Sequence, residues 1–221
     1  MSLQAFILDL DGVLTNTAEY HFQAWLRLAE EEQVSFDREI NEQLRGVSRR
    51  RSLEVLLGNA LPRYSEDQIQ AMMARKNTYY QEMLQQITSD DFLPRARQLL
   101  DDLRAHGLKI AIGSASKNTR LVLERLGILK AFDGIADGNS VTRSKPAPDI
   151  FLHAAKLLNT PPAQCVVVED AESGIAAALA AKMFAVGIGP ATRVGAAHLR
   201  YPDTAALDLE EIITTFEQQQ R

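Results

Sequence analysis

A single cysteine, Cys165, stands among 221 residues, so the chain cannot close a disulfide on itself, which fits a reducing compartment. Cys165 itself is expected to be an inert, buried strand residue. Long apolar runs are absent as well. The N-terminal run AFIL is four residues long before Asp9 interrupts it, and no basic segment precedes it. That pattern argues against a signal peptide and against a membrane span, and a cytoplasmic protein is expected. Basic charge is in deficit, with 24 Lys and Arg against 29 Asp and Glu for a formal net charge of -5. This excludes the net basic footprint of a nucleic-acid binder, and any anion site must be basic locally. Internal repeats and low-complexity tracts are missing too, apart from a polar tail ending QQQR that reads as a frayed end. What is present, 46% hydrophobic and 24% charged residues, is the composition of a folded, water-soluble chain with a substantial core.

Short apolar runs recur at QAFILD, LKIAIGS, QCVVVED and FAVGIG, each followed by turn-forming or polar residues. Such runs read as buried parallel strands. Segments of helical spacing lie between them, at 95–106, 118–126, 149–158 and 173–182, and a terminal helix over 208–218 opens on a capping-box pattern. The alternation predicts an α/β fold with a Rossmann-like doubly wound parallel sheet. From 17 to 87 no strand-like run occurs and helical segments follow one another, one of them opening on the capping-box candidate Ser65 to Gln68. We therefore expect a core domain of residues 1–16 and 88–221 with an inserted all-helical cap domain of residues 17–87. Beginning directly after the first strand, the insert should sit over the carboxyl ends of the strands, where open α/β sheets bind ligands.

The chemistry-bearing residues cluster at those ends. Asp9 and Asp11, two apart, leave a strand on the same side, and Gly12 permits the tight turn that aims them. One of two such acids can serve as nucleophile and metal ligand while the other trades protons, although a strand ending in a polar turn has the same spacing. A second acidic pair, Glu169 and Asp170, closes the run CVVVED. If the two strands are neighbours, these carboxylates form an oxygen-rich Mg2+ setting; a solvated loop is the alternative. Ser114 to Ser116 follow a strand and precede a helix, a weak anion-site signal. Lys145, in SKPAPD, has its backbone fixed by two prolines and could neutralise a phosphoryl group.

These four segments, in this order, resemble the motifs of the haloacid dehalogenase superfamily: DLDGVLT at 9–15, Ser114, Lys145, and Glu169 with Asp170. The resemblance implies a phospho-aspartyl mechanism in which Asp9 attacks phosphorus and Asp11 is general acid and base. It further implies Mg2+ held by Asp9, the Asp11 backbone carbonyl and Asp170, with Glu169 beside them, and transferring phosphoryl oxygens held by Ser114 and Lys145. A loose phosphoryl transition state asks chiefly for such positioning and charge neutralisation.

Further segments, TAEYHFQAW at 17–25, NEQLRGVSR at 41–49, RKN at 75–77, SASKN at 114–118 and SKPAPDIF at 144–151, are similar to the β-phosphoglucomutase family. That family interconverts β-glucose 1-phosphate and glucose 6-phosphate through β-glucose 1,6-bisphosphate. By this resemblance Thr17 and His21 are hinge and gating residues that position Asp11 only when sugar is present, with a satisfied helix-surface histidine the alternative for His21. The run Gly46, Val47, Ser48 and Arg49 grips the phosphate that is not being transferred, and Ser116, Lys117 and Asn118 form the core side of the sugar-phosphate site. Trp25 and Lys76 are cap residues at the site, with helix packing the alternative for Trp25, and Arg50 and Arg51 face solvent. The chain departs from the family pattern at Arg45, where lysine is usual, at Asn16, where aspartate is usual, and at AESG over 171–174 in place of SQAG. The implied partners are small-molecule sugar phosphates, with no nucleic acid and no membrane, and a monomer is expected. A sugar-phosphate phosphatase of the same superfamily shares every core residue and differs only in the cap. A haloalkanoate dehalogenase would need neither Asp11 nor the second acidic pair, and a receiver-like signalling module would not explain the helical insert.

Overall fold

The structure is a computed structural model and describes residues 2–219. Six strands, β1 (Ala5–Leu8), β2 (Lys109–Gly113), β3 (Gly134–Ala136), β4 (Cys165–Glu169), β5 (Phe184–Ile188) and β6 (Leu199–Tyr201), form one sheet in the order β3-β2-β1-β4-β5-β6. Every pairing is parallel. The four predicted strands are β1, β2, β4 and β5. β3 and β6 are missing from the sequence reading because each is a three-residue edge strand that is not fully buried, so no apolar run announces it.

Ten helices accompany the sheet among the described residues: α1 (Ala18–Glu31), α2 (Arg38–Glu42), α3 (Arg49–Leu57), α4 (Glu66–Leu84), α5 (Ala96–Ala105), α6 (Thr119–Arg125), α7 (Asp149–Leu157), α8 (Glu172–Ala180), α9 (Ala191–Val194) and α10 (Leu209–Gln219). The period of two in β1 separates two cores. Phe6 and Leu8 join Leu99, Leu103, Val122, Ile212 and Phe216, from α5, α6 and α10, on one face. Ala5 and Ile7 join Phe151, Ala154, Ile175 and Val194, from α7, α8 and α9, on the other. Alternate side chains point to opposite faces, so a strand buried on both sides needs an unbroken apolar run.

Helices α1 to α4 follow β1 directly. They pack around a cluster of their own that includes Trp25, Leu28, Leu53, Leu57, Ile69 and Met72, and we call this group the cap. Its last helix starts on a complete capping box: Gln68 N donates to Ser65 Oγ at 3.3 Å and Ser65 N donates to Gln68 Oε1 at 2.8 Å. The box expected at α10 is half formed. Glu211 N donates to Asp208 Oδ1 at 3.0 Å, but the Glu211 carboxylate accepts from Tyr201 Oη at 2.6 Å and so is unavailable to the helix start. In the tail expected to fray, Gln218 and Gln219 continue α10; Gln220 and Arg221 lie outside the described residues. Cys165 is buried in β4, where burial pushes its thiol up to about 12.

Candidate active site

The strand order reverses at β1 and β4, the place where an open α/β sheet leaves a crevice at its carboxyl edge. Asp9 leaves β1 there, its backbone N still donating to Val168 O at 2.9 Å, and Glu169 and Asp170 leave β4. Asp9, Glu169 and Asp170, all buried, each offer an oxygen, and the three lie within 4.8 Å of one another. Lys145 Nζ donates to Asp9 Oδ1 and to Glu169 Oε2, both at 2.7 Å. Burial alone would lower the Lys145 pKa; the two carboxylates outweigh it and raise it above the ordinary lysine value. Burial and the crowding of like charges hold Glu169 and Asp170 above the usual carboxylate range, against the pull of Lys145 and, for Asp170, of Arg45 and Arg193. A surplus of buried negative charge presented by oxygen donors alone fits a hard divalent cation such as Mg2+. Gly12, at φ +82, is packed so closely that a Cβ would lie 2.3 Å from Asp170 Oδ2.

The carboxylate of Asp11 stands apart from that group and accepts a hydrogen bond from Thr17 Oγ1. Burial first, then the charges of Asp9 and Asp170, push Asp11 up to about 7 against the opposing bond from Thr17. Thr17 in turn accepts from Tyr80 Oη at 3.0 Å, and the Tyr80 ring stacks on His21 with centroids 3.9 Å apart. His21 Nδ1 lies 2.7 Å from Lys76 Nζ, within hydrogen-bond distance. Lys76 is buried, with its Nζ over the rings of Trp25 and Tyr80. Arg49 donates to the neutral Asn77 Oδ1 at 2.7 Å. Burial and neighbouring positive charge lower both His21 and Lys76 well below their ordinary values, and burial lowers Arg49. Lys76, buried, and His21 and Arg49, half-buried, meet without a carboxylate partner among the described residues and form a receptor for an anion.

Across the cleft the loop after β2 is set for hydrogen-bond donation. Ser114 Oγ accepts from Ser116 N and Ser116 Oγ accepts from Asn118 N, both at 3.2 Å. The hydroxyl hydrogens thus remain free for an anion. Ser116 and Lys117 line the cleft, whereas Asn118 turns from it: its Nδ2 donates to Asn77 Oδ1 at 2.9 Å and its Oδ1 accepts from Gln81 Nε2 at 3.0 Å. Asn118 therefore clasps the loop to α4. Ser48 Oγ is engaged as the N-cap of α3, accepting from Arg51 N at 3.2 Å. Arg50 and Arg51 pair with Glu54 and Glu66 of the cap.

The cleft, about 530 Å³, is walled on the core side by Asp9, Asp11, Ser114, Ser116, Lys117, Lys145 and Asp170, and on the cap side by His21, Trp25, residues 46–49 and Lys76. Thr17, Asn118 and Glu169 stand behind these walls. Tyr80, Asn77, Arg45 and Arg193 escaped the sequence reading as site residues. Tyr80 was within reach of it, one helical turn from Lys76. Arg193 carries no such signal, since only folding brings α9 to Asp170.

The haloacid dehalogenase-like hydrolase family model matches residues 3–182. The chain is 44% identical to the β-phosphoglucomutase of Bacillus subtilis, over 98% of this chain and 96% of that one. It is 27% identical to a phosphorylated carbohydrates phosphatase of Thermotoga maritima, over 98% and 99% respectively. Among solved structures it is similar to a β-phosphoglucomutase from Clostridium difficile, with a TM-score of 0.95 and 42% identity over 98% of both chains.

Proposed function

The chain belongs to the haloacid dehalogenase-like hydrolases and, within them, to the β-phosphoglucomutase family, and from that premise we propose that it interconverts β-glucose 1-phosphate and glucose 6-phosphate through a phosphorylated Asp9. The observation that carries the reading is the presence of two unlike anion receptors facing one cleft. One is Lys145 with Ser114 beside Asp9, and the other is Arg49 with Lys76 in the cap. A bisphosphate needs both at once, because one phosphate is held while the other is transferred.

In the first half-reaction an Asp9 carboxylate oxygen attacks phosphorus, an O–P bond forms, and the bond from phosphorus to the sugar oxygen breaks. Asp11 gives its proton to that departing oxygen and takes one back from the attacking hydroxyl in the reverse sense. A carboxyl near 7 serves both directions. Lys145 and Ser114 neutralise and orient the phosphoryl oxygens. Mg2+ held by Asp9, Asp170 and the Asp11 backbone carbonyl, with Glu169 beside it, would supply further charge neutralisation to those oxygens. The bond from Thr17 restrains Asp11 from activating water, and the cap over the cleft excludes bulk solvent, which suits a phospho-aspartate that must outlive the turning of the bisphosphate.

The test is to incubate the protein with Mg2+, β-glucose 1-phosphate and a trace of glucose 1,6-bisphosphate. Glucose 6-phosphate without stoichiometric inorganic phosphate is the expected result. Inorganic phosphate without glucose 6-phosphate would instead assign a phosphatase. Asp9→Asn is expected to abolish transfer and the phosphoprotein seen by intact mass, and activity retained by that variant would refute the mechanism.

A further inference from the structure

Four cap-to-core contacts, from Arg45 and Gly46, converge on the loop that carries Asp170. Arg45, in the turn after α2, divides its guanidinium: Nε and Nη2 donate to Glu42 at 3.0 and 3.3 Å, while Nη1 donates to Asp170 Oδ2 at 3.1 Å. The backbone of the same turn is held as well. Ser173 Oγ donates to Arg45 O at 3.3 Å, and Gly46, at φ +66, closes on the loop so tightly that a Cβ would lie 2.6 Å from Ser173 Oγ and 2.9 Å from Ala171 Cβ. From the core side, Arg193 Nε donates to Asp170 O at 2.6 Å, its Nη2 lies 4.0 Å from Asp170 Oδ2, and its Nη1 lies 3.8 Å from Glu42 Oε2. Glu42 thus joins a cap arginine to a core arginine, and both converge on one buried carboxylate.

That carboxylate belongs to the acidic group that fits a divalent cation. We propose that Arg45, backed by Arg193 and Glu42, is a latch that docks the cap on Asp170 in competition with the cation, so that cap docking through this turn and cation binding oppose each other. The proposal rests on the reading of the acidic group as a Mg2+ site. Its physical basis is linkage. Arg45 reaches Asp170 only when the cap is docked, and a charge-assisted hydrogen bond draws on the same negative charge that a cation needs. Whatever the cation takes from Arg45, Arg45 takes from the cation to the same degree. Two of the chain's departures from the family pattern, Arg45 and Ser173 in AESG, meet in this one contact.

The experiment uses the full chain without sugar phosphate. Mn2+ binding is counted by electron paramagnetic resonance, Mg2+ binding is measured by calorimetry, and amide exchange of Gly46 and Val47 is followed with and without the cation. Arg45→Gln is expected to tighten cation binding about fivefold or more. Ser173→Ala, which loosens the turn without removing charge, should tighten it by less, and Arg50→Gln on the cap should leave it unchanged. In the parent protein, cation should speed exchange at Gly46 and Val47, whereas in Arg45→Gln exchange should be fast from the outset. Cation affinity that is unchanged or weaker in both Arg45→Gln and Ser173→Ala would overturn the latch and leave the Mg2+ reading standing. A parent protein that binds neither cation would overturn both.

Discussion

Asp11 shows how an environment assigns a role to one carboxylate of a pair. Burial and the nearby charge of Asp9 raise it from the ordinary 3.8 to about 7. Between those values the folded protein holds a proton that the unfolded chain has lost, so stability falls as pH rises through that window. Asp11→Asn removes the titration. It is expected to raise the melting temperature relative to the parent at about pH 8, with the difference shrinking toward about pH 4, as calorimetry over that range would check. The same variant should lose about 100-fold or more in kcat, since proton transfer to the sugar oxygen goes with the carboxyl. The spacing of Asp9 and Asp11 was legible as a convergent pair. The resemblance already had Thr17 positioning Asp11; that Asp11 stands apart from the group formed by Asp9, Glu169 and Asp170 was not legible, because it depends on where α1 begins.

At the scale of elements, helix starts and close-packed turns carry separable loads. Ser65→Ala breaks the capping box of α4 and should cost about 1 kcal/mol in urea unfolding. Gly46→Ala acts on docking instead. Its positive φ and the 2.6 Å approach to Ser173 Oγ leave a methyl group no room unless the turn withdraws from the core. We expect kcat/KM to fall about tenfold to a hundredfold from the resulting misplacement of the turn that carries Arg45 and Val47, while the cap's own apolar cluster holds and circular dichroism is unchanged. The capping box at Ser65 was readable because all its partners lie within four residues. The one expected at Asp208 was readable only in part, since Tyr201, from a neighbouring strand, claimed the Glu211 carboxylate.

For the molecule as a whole, the cap side of the cleft is a basic receptor built on a chain of net charge -5. Burial and the nearby charge of Arg49 hold Lys76 and His21 below their ordinary values, and a bound phosphate favours their charged forms. Binding of glucose 6-phosphate at about pH 8 is therefore expected to take up protons, which titration calorimetry in two buffers of different ionisation enthalpy would register, and Lys76→Met should remove most of that uptake. The sheet and the acids at its edge could be read from the chain alone, since a strand buried on both faces needs an unbroken apolar run and the residue that follows it must fall at the sheet's carboxyl end. The edge strands β3 and β6, the turning of Asn118 toward α4, the stack of Tyr80 on His21 and the meeting of Arg45 and Arg193 at Asp170 could not. Arg45 and Asp170 stand 125 positions apart, and a contact of that range exists only once the packing of two hydrophobic clusters has brought cap and core together.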